Sequence, residues 1–519
     1  MQQTRGDKSI MRIHPKTPII VGIGQCVDRR LDFDATTAPS PQSLRLIAAQ
    51  NALLDSGCRE AISQSIDCVV AVRTMLDSVP GVPQPFGRCE KPASTIAAAL
   101  GIDRAQCKYS HVGGDQPQTL VNEMAEAICR GEVRTVLLVG AEATLAMKQA
   151  ARAQTMLDWS ESAAGEEIDR GLGYPLLTAY ELRNGLGSPT QTYPAFEHAL
   201  RMRLGRSREA HLIAMSSLWS GFSKVAAGNA YAQFPEARSA EFLAAPSAEN
   251  YPVADPYLKW HVAQDAVNQG AAVILTSVGE AERLGISPEK WIFLHGYAQA
   301  RDRFVTERQD LSRSKAIELV IPTALEMAGK SPSDIQYFDL YSCFPCAVFL
   351  AAEALALDAG RVPLTVTGGL PFFGGAGNNY SMHAIVSMVE KLRADRQAYG
   401  LVLANGGFLS KEAAGIYSAQ PVENWQPSTV DLQPEIDALA APQLLEESCD
   451  AQVETYTVTY TKGVPQRAYI IARNEKGRIL GRIRNGDQQL AQSLAENDPT
   501  GRTARFEHED GTNFLVGIQ

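Results

Sequence analysis

Asp339-Leu340-Tyr341-Ser342-Cys343-Phe344-Pro345-Cys346 gathers a phenol, a hydroxyl and two thiols where a strand-like run gives way to a helix-like one, Ala347–Leu357. Strand-to-helix junctions at the carboxyl edge of an α/β sheet are where ligand sites form, and a helix N-terminus favours a thiolate. The segment suits proton transfer at a bound substrate by Tyr341 or Cys343. The alternative is that both cysteines are small core residues. Cys343 and Cys346 also make a C-x-x-C pair, as in a thioredoxin-like redox couple or half of a zinc site, although the surrounding chain is far larger than a thioredoxin unit. A metal site needs two further ligands, and no second C-x-x-C or H-x-H supplies them, so none is expected.

Three glycine loops accompany this segment. Gly368-Gly369-Leu370-Pro371-Phe372-Phe373-Gly374-Gly375-Ala376-Gly377-Asn378-Asn379 precedes a helix-like run, Ser381–Arg393. Its backbone N–H groups, from Gly374 and Gly375 to Asn378 and Asn379, could hold an oxyanion or a thioester oxygen. His383 lies one helical turn beyond Asn379. It is either a catalyst or a packed helical histidine. Val112-Gly113-Gly114-Asp115-Gln116 is a second loop of this kind, and Ala404-Asn405-Gly406-Gly407 a third. Loops of one kind, all following strands, argue for a single shared site. Phe372 and Phe373 fit either an apolar ligand portion or the core. There is no G-x-S-x-G and no Walker loop, and Gly22-Ile23-Gly24 lacks the third glycine of a dinucleotide fingerprint.

The elements that must position these loops are written twice. Gly24, Gly57 and Asp67 recur as Gly296, Gly329 and Asp339, each 272 residues on (296−24, 329−57, 339−67). The runs around them match in type, giving two α/β units with mostly parallel strands. Residues 17–145 with 256–285 form the first half, and residues 286–420 the second. Residues 146–255 read as a helical insertion, with proline breaks at Pro189, Pro194, Pro235, Pro246 and Pro252. Residues 421–450 are acidic and proline-bearing and read as a linker. Residues 451–519 alternate with period two and read as a small, mostly β domain, OB-like. It lacks a dense basic and aromatic stripe, so docking or solubility is its expected role.

Bulk properties exclude several classes. The chain has 519 residues and a net charge of −10, against a nucleic-acid or anionic-membrane binder. Nine cysteines without framework spacing fit reduced thiols in a cytoplasm. Met1 to Lys16 lacks the apolar core of a signal peptide. No run approaches the roughly 20 apolar residues of a membrane helix.

Over nearly all of 17–420 the chain resembles the thiolase superfamily, in particular its sterol-carrier-protein type and thiolase-like relatives with an added C-terminal domain. The duplicated unit, the insertion, the Asn268-Gln269-Gly270-Ala271-Ala272 strand entry and the glycine loops carry the resemblance. Tyr341-Ser342-Cys343-Phe344 looks like that branch's His-Asp-Cys-Phe motif. The resemblance implies a five-layer αβαβα fold, a coenzyme A thioester as substrate or ligand without a permanently bound cofactor, and a role in lipid metabolism among acetyl-CoA acetyltransferase-like proteins. The core sheets imply a homodimer, unless the added tail leaves a monomer. The departures are specific. The family's nucleophilic cysteine falls on Gly114, the histidine of its Gly-His-Pro on Gly375, and its second cysteine near Ala404. Cys343 keeps its motif identity, and Tyr341 replaces the motif histidine. Without a thiolate at 114 no acyl-enzyme forms by the usual route. A nucleophile-free pocket suits retro-aldol cleavage of a β-hydroxyacyl thioester, with Tyr341 as base and Cys343 as proton donor. The rivals are a non-catalytic acyl-CoA-binding or scaffold protein and an atypical acyltransferase.

Overall fold

The computed structural model describes residues 13–519. Most of the N-terminal run read for a signal peptide, residues 1–12, lies outside the described residues. Seventeen strands follow in order: β1 (Pro18–Val27), β2 (Cys68–Ala71), β3 (Gln106–Tyr109), β4 (Thr135–Ala143), β5 (Glu167–Asp169), β6 (Pro252–Ala254), β7 (Tyr257–Leu258), β8 (Asn268–Ser277), β9 (Ile292–Arg301), β10 (Tyr337–Leu340), β11 (Tyr399–Gly406), β12 (Lys411–Ser418), β13 (Cys449–Thr461), β14 (Val464–Arg473), β15 (Arg478–Arg482), β16 (Thr503–Glu509) and β17 (Thr512–Ile518). The helices that matter here are α1 (Pro41–Asp55), α2 (Gln116–Arg130), α3 (Pro189–Arg203), α4 (Arg208–Ala227), α5 (Lys315–Met327), α6 (Pro345–Ala354), α7 (Tyr380–Ala394) and α8 (Gln488–Glu496).

Ten of these strands form one sheet in the order β10-β11-β12-β9-β1-β8-β4-β2-β3-β5. Its two halves share the order β1-β8-β4-β2 and β9-β12-β11-β10, and they join where Ile19 and Ile20 pair with Phe293 and Ile292. Helices α2 and α7 pack against strands of both halves, so they form the middle layer. Helix α1 covers the outer face of the first half, and α5 and α6 that of the second. This is the five-layer αβαβα arrangement. Pairing is mixed rather than mostly parallel. β8 returns from the insertion antiparallel between β1 and β4, and β12 does the same between β9 and β11. The apolar, non-alternating strands reflect helices on both faces, whatever the strand direction.

The repeat is real, but two of its anchors shift. Gly22 takes the place against α1 that Gly296 takes against α5. A Cβ at Gly22 would lie 2.5 Å from Ala52 O, and one at Gly296 would overlap Ala324 O. Bulges beside Val21 and His295 fall at the same spacing, 274 residues (295−21). The 272 spacing holds at the helix C-termini, where Gly57 and Gly329 are left-handed. Asp67 corresponds to Gln336, not Asp339. Asp67 accepts from Thr135 N at the start of β4, as Gln336 accepts from Tyr399 N at the start of β11.

In the insertion, Pro189 opens α3 instead of breaking it, and Pro194 lies within the helix. The tail closes into a barrel. β13-β14-β15-β17-β16 form a ring through the β14–β13 pairing, β15 and β17 run parallel, and α8 lies between β15 and β16. That connectivity is OB-like. The linker is a packed strap. Trp425 is buried against Tyr297, and Gln433 bonds both the N–H and the carbonyl of Arg301.

Candidate functional site

Strand ends of the second half meet beside α2 of the first. β10 runs out into Tyr341, β11 into Asn405, and β12 begins at Lys411 and Glu412. Gly114 sits at the N-terminus of α2 and touches the first two of these regions. A Cβ there would overlap the Tyr341 hydroxyl and lie 2.5 Å from Asn405 O. A cysteine side chain has no room at 114, because Tyr341 fills that volume. Ser381, in the first turn of α7, donates to Gly114 O, so the loops before α2 and α7 do converge.

The cluster around Tyr341 is closed and mostly neutral. Burial holds the Tyr341 phenol well above its usual range, and Cys343, Asp115 and Glu412 add to that. This corrects its role as a base, since a tyrosinate here has no cation to stabilise it. Burial pushes the Cys343 thiol up to about 12, against a favourable contact from Tyr193. The helix N-terminus does not make Cys343 a thiolate, because desolvation outweighs it. Cys346 is raised further by burial and by Glu197, and both thiols are unbridged. Burial also raises Glu412 well above the carboxylate range, and neither of its oxygens has a hydrogen-bond partner among the described residues. Asp115 is raised by burial and held back by Lys411, whose Nζ donates to Val112 O at 2.9 Å.

Other expected site residues serve the scaffold. His383 is fully buried, pairs with Gln25 Oε1 at 3.0 Å, and lies 5.1 Å from the Phe373 ring. Burial drives it down to about 3, so it is a neutral core histidine. Gly375 N donates to Gln264 O at 2.8 Å and is not a free oxyanion donor. Gly374 packs against Gln269, whose amide donates to Phe373 O. Asn378 ties this loop to Arg73 O and Ser78 Oγ. Asn379 is buried against Gly140 with its amide unpartnered. Phe372 and Phe373 are core residues, fully buried. Gly406 lets Asp115 pack against β11, and Gly407 turns the chain with φ 65°.

Three residues at the cluster, Tyr193, Lys411 and Glu412, lie outside the segments read from the sequence, whereas Asn405 stands in the third glycine loop. The Tyr193 hydroxyl accepts from Leu409 N at 2.9 Å, and its ring stacks on Phe344 at 4.2 Å. The legible signal was Lys411-Glu412, two charges opening an otherwise uncharged strand that is buried throughout.

On the insertion side, Ala226 and Phe222 of α4 pack directly on Gly368 and Gly369. On the opposite side, a 520 Å³ cavity reaches Asp115, Lys411 and Glu412 from beneath the strap at 428–433.

Comparison with known proteins follows this geometry. Residues 431–512 match the additional C-terminal domain of thiolase-like protein type 1. A monomeric SCP2-thiolase-like protein type 1 from Mycobacterium smegmatis is 34% identical, over 97% of this chain and 100% of that one, with a TM-score of 0.82. The Ltp2–ChsH2(DUF35) aldolase shares the fold at 18% identity and a TM-score of 0.55, over 78% of this chain and 98% of that one. A probable acetyl-CoA acetyltransferase of Dictyostelium discoideum is 32% identical over 143 residues, 27% of this chain and 32% of that protein. This chain therefore matches about a third of that curated relative's length.

Proposed function

This chain belongs to the SCP2-thiolase-like proteins of type 1, and on that premise we propose that it binds an acyl-CoA thioester without forming an acyl-enzyme. The observation that carries this reading is the Tyr341 phenol in the volume that a side chain at 114 would need. Acyl transfer through a thioester intermediate requires a nucleophile there. Cys343 and Cys346 are neutral thiols in a buried environment and do not replace it.

The chemistry such a cluster supports is hydrogen-bond donation to a developing enolate oxygen. A neutral tyrosine and a protonated carboxyl in a desolvated site are strong donors at neutral pH. Tyr341 and Glu412 fill those roles in this reading. Retro-aldol cleavage of a β-hydroxyacyl thioester is the matching reaction. The hydroxyl proton passes to Asp115, the member held toward its charged form by Lys411. The Cα–Cβ bond breaks to an aldehyde and the thioester enolate, and Cys343 protonates the α-carbon. Proton exchange between Asp115 and Cys343 restores the site. The fold shared with the Ltp2–ChsH2(DUF35) aldolase supports this choice. Nine unbridged cysteines suit a cytoplasmic setting.

The raised, neutral thiols of Cys343 and Cys346 favour a second reading, a thioester-binding protein without turnover. Tyr341→Phe separates the two. Under the first, wild type releases aldehyde from a short β-hydroxyacyl-CoA, and the variant loses on the order of 100-fold in kcat while binding stays within a few-fold. Binding without any cleavage by wild type leaves the second. Failure to bind any acyl-CoA sinks both.

A further inference from the structure

The cavity beneath the strap carries a cation that the thioester reading does not use, Arg301, beside Lys411, which that reading uses to hold Asp115 toward its charged form. Arg301 and Lys411 are directly paired across β9 and β12. Opposed residues project from one face with Cβ atoms about 5 Å apart, and like charges there repel. Burial holds the Lys411 ammonium below its usual range, Asp115 draws it back up, and Arg301 lowers it. The nearest compensating group, Asp115, is itself pushed toward its neutral form by burial. Among the described residues no carboxylate forms an ion pair with Arg301, whose guanidinium lies over the Tyr174 ring at 4.0 Å. Glu412, also on the wall, has no hydrogen-bond partner among the described residues and is held toward its neutral form by burial, and the remaining acids are engaged. Glu126 accepts from Tyr297 and Arg130, and Asp431 from Gln433 N. A cavity of 520 Å³ thus presents two adjacent cations with His111, Thr119 and Tyr174 beside them.

We propose that this cavity binds a small oxyanion-bearing molecule, a carboxylate or a phosphate, held by Arg301 and Lys411. The volume is that of a small-metabolite pocket. Arginine offers a planar fork that matches either anion, and the flanking tyrosines give a short organic body an apolar wall. A bound anion relieves the cross-strand repulsion. The site shares Lys411 with the proposed thioester chemistry, but its test involves no thioester, so failure of one reading is distinguishable from failure of the other.

The experiment is calorimetry and thermal melting of the full chain with succinate, 3-hydroxybutyrate and inorganic phosphate, with chloride at matched ionic strength as control. At least one oxyanion should bind saturably and raise Tm, and Arg301→Gln should weaken it at least tenfold. Without ligand, Arg301→Gln should melt no lower than wild type, because a repulsion has been removed. Binding of the organic acids alone identifies a carboxylate ligand, and binding of phosphate alone a phosphate ligand. Arg301→Lys keeps the charge and loses the fork, and serves if the glutamine variant does not fold. It too should weaken binding. No saturable binding of any probe, or unchanged affinity in both variants, overturns the proposal.

Discussion

At the residue scale, one glycine and one tyrosine set the chemistry. A methyl group at 114 meets the Asn405 carbonyl, which is backbone and cannot swing away, as well as the Tyr341 hydroxyl. Gly114→Ala should therefore cost roughly 3 kcal/mol in urea unfolding. Gly221→Ala, in the middle of α4 with open space around it, should instead gain about 1 kcal/mol. Equal effects at both positions would refute the steric account. The buried histidine makes a pH prediction. Its folded value of about 3 lies below the unfolded 6.5, so the unfolded chain takes up the extra proton, and stability falls as pH drops from 6.5 toward 3. The full span is worth about 5 kcal/mol. Glu142, raised to about 7 by burial, acts in the opposite sense between 4.5 and 7, so the informative quantity is wild type against His383→Gln. The variant should show a shallower loss of stability from pH 6.5 to 4. An unchanged slope would contradict the buried neutral state. Gly114, Tyr341 and Cys343 were legible because each occupies a motif position. The fates of His383, Gly374 and Gly375 were not. Which face of α7 the imidazole takes, and whether a loop N–H is already bonded within the chain, depend on partners more than 100 residues away.

At the element scale, the duplication was legible because helix C-caps need left-handed glycines wherever they occur, as at Gly57 and Gly329. Strand registers were less legible. A bulge or a helix two residues longer changes spacing without changing residue type, which is why Asp339 looks in sequence like a repeat of Asp67. Asp339 does different work. It accepts from Val366 N, Thr367 N and the Tyr380 hydroxyl, and so pins the loop after α6 to β10. The short strand β5 pairs in parallel with β3 and covers that edge of the sheet from within the chain. An uncovered edge is a template for a second copy. Ile168→Pro, which cannot donate from its nitrogen, should loosen β5 and produce concentration-dependent association by light scattering, whereas wild type stays monomeric. A dimeric wild type, or a variant monomeric at every concentration, would contradict this.

At the scale of the whole molecule, three layers of helix and one bent sheet bring the ends of β10, β11 and β12 onto the N-terminus of α2, and the barrel fixes the insertion over them. Arg478 of β15 is fully buried, pairs with Glu454, and donates to Thr306 O at 3.0 Å. Thr455 donates to Ala195 O in α3, and Tyr456 donates to Asp255, which also takes Arg208. β13 also extends the barrel sheet onto β6 of the insertion. The tail is thus part of the core's support, which its alternating strands alone could not reveal. Among the described residues no helix is long and apolar enough to cross a membrane. The account turns on a thioester held without covalent capture. The measurement that tests it most directly is calorimetry of the protein with a short acyl-CoA, followed by intact-protein mass spectrometry of the same mixture. Saturable binding with an unchanged protein mass is the predicted result. An acyl group carried on any cysteine would contradict it.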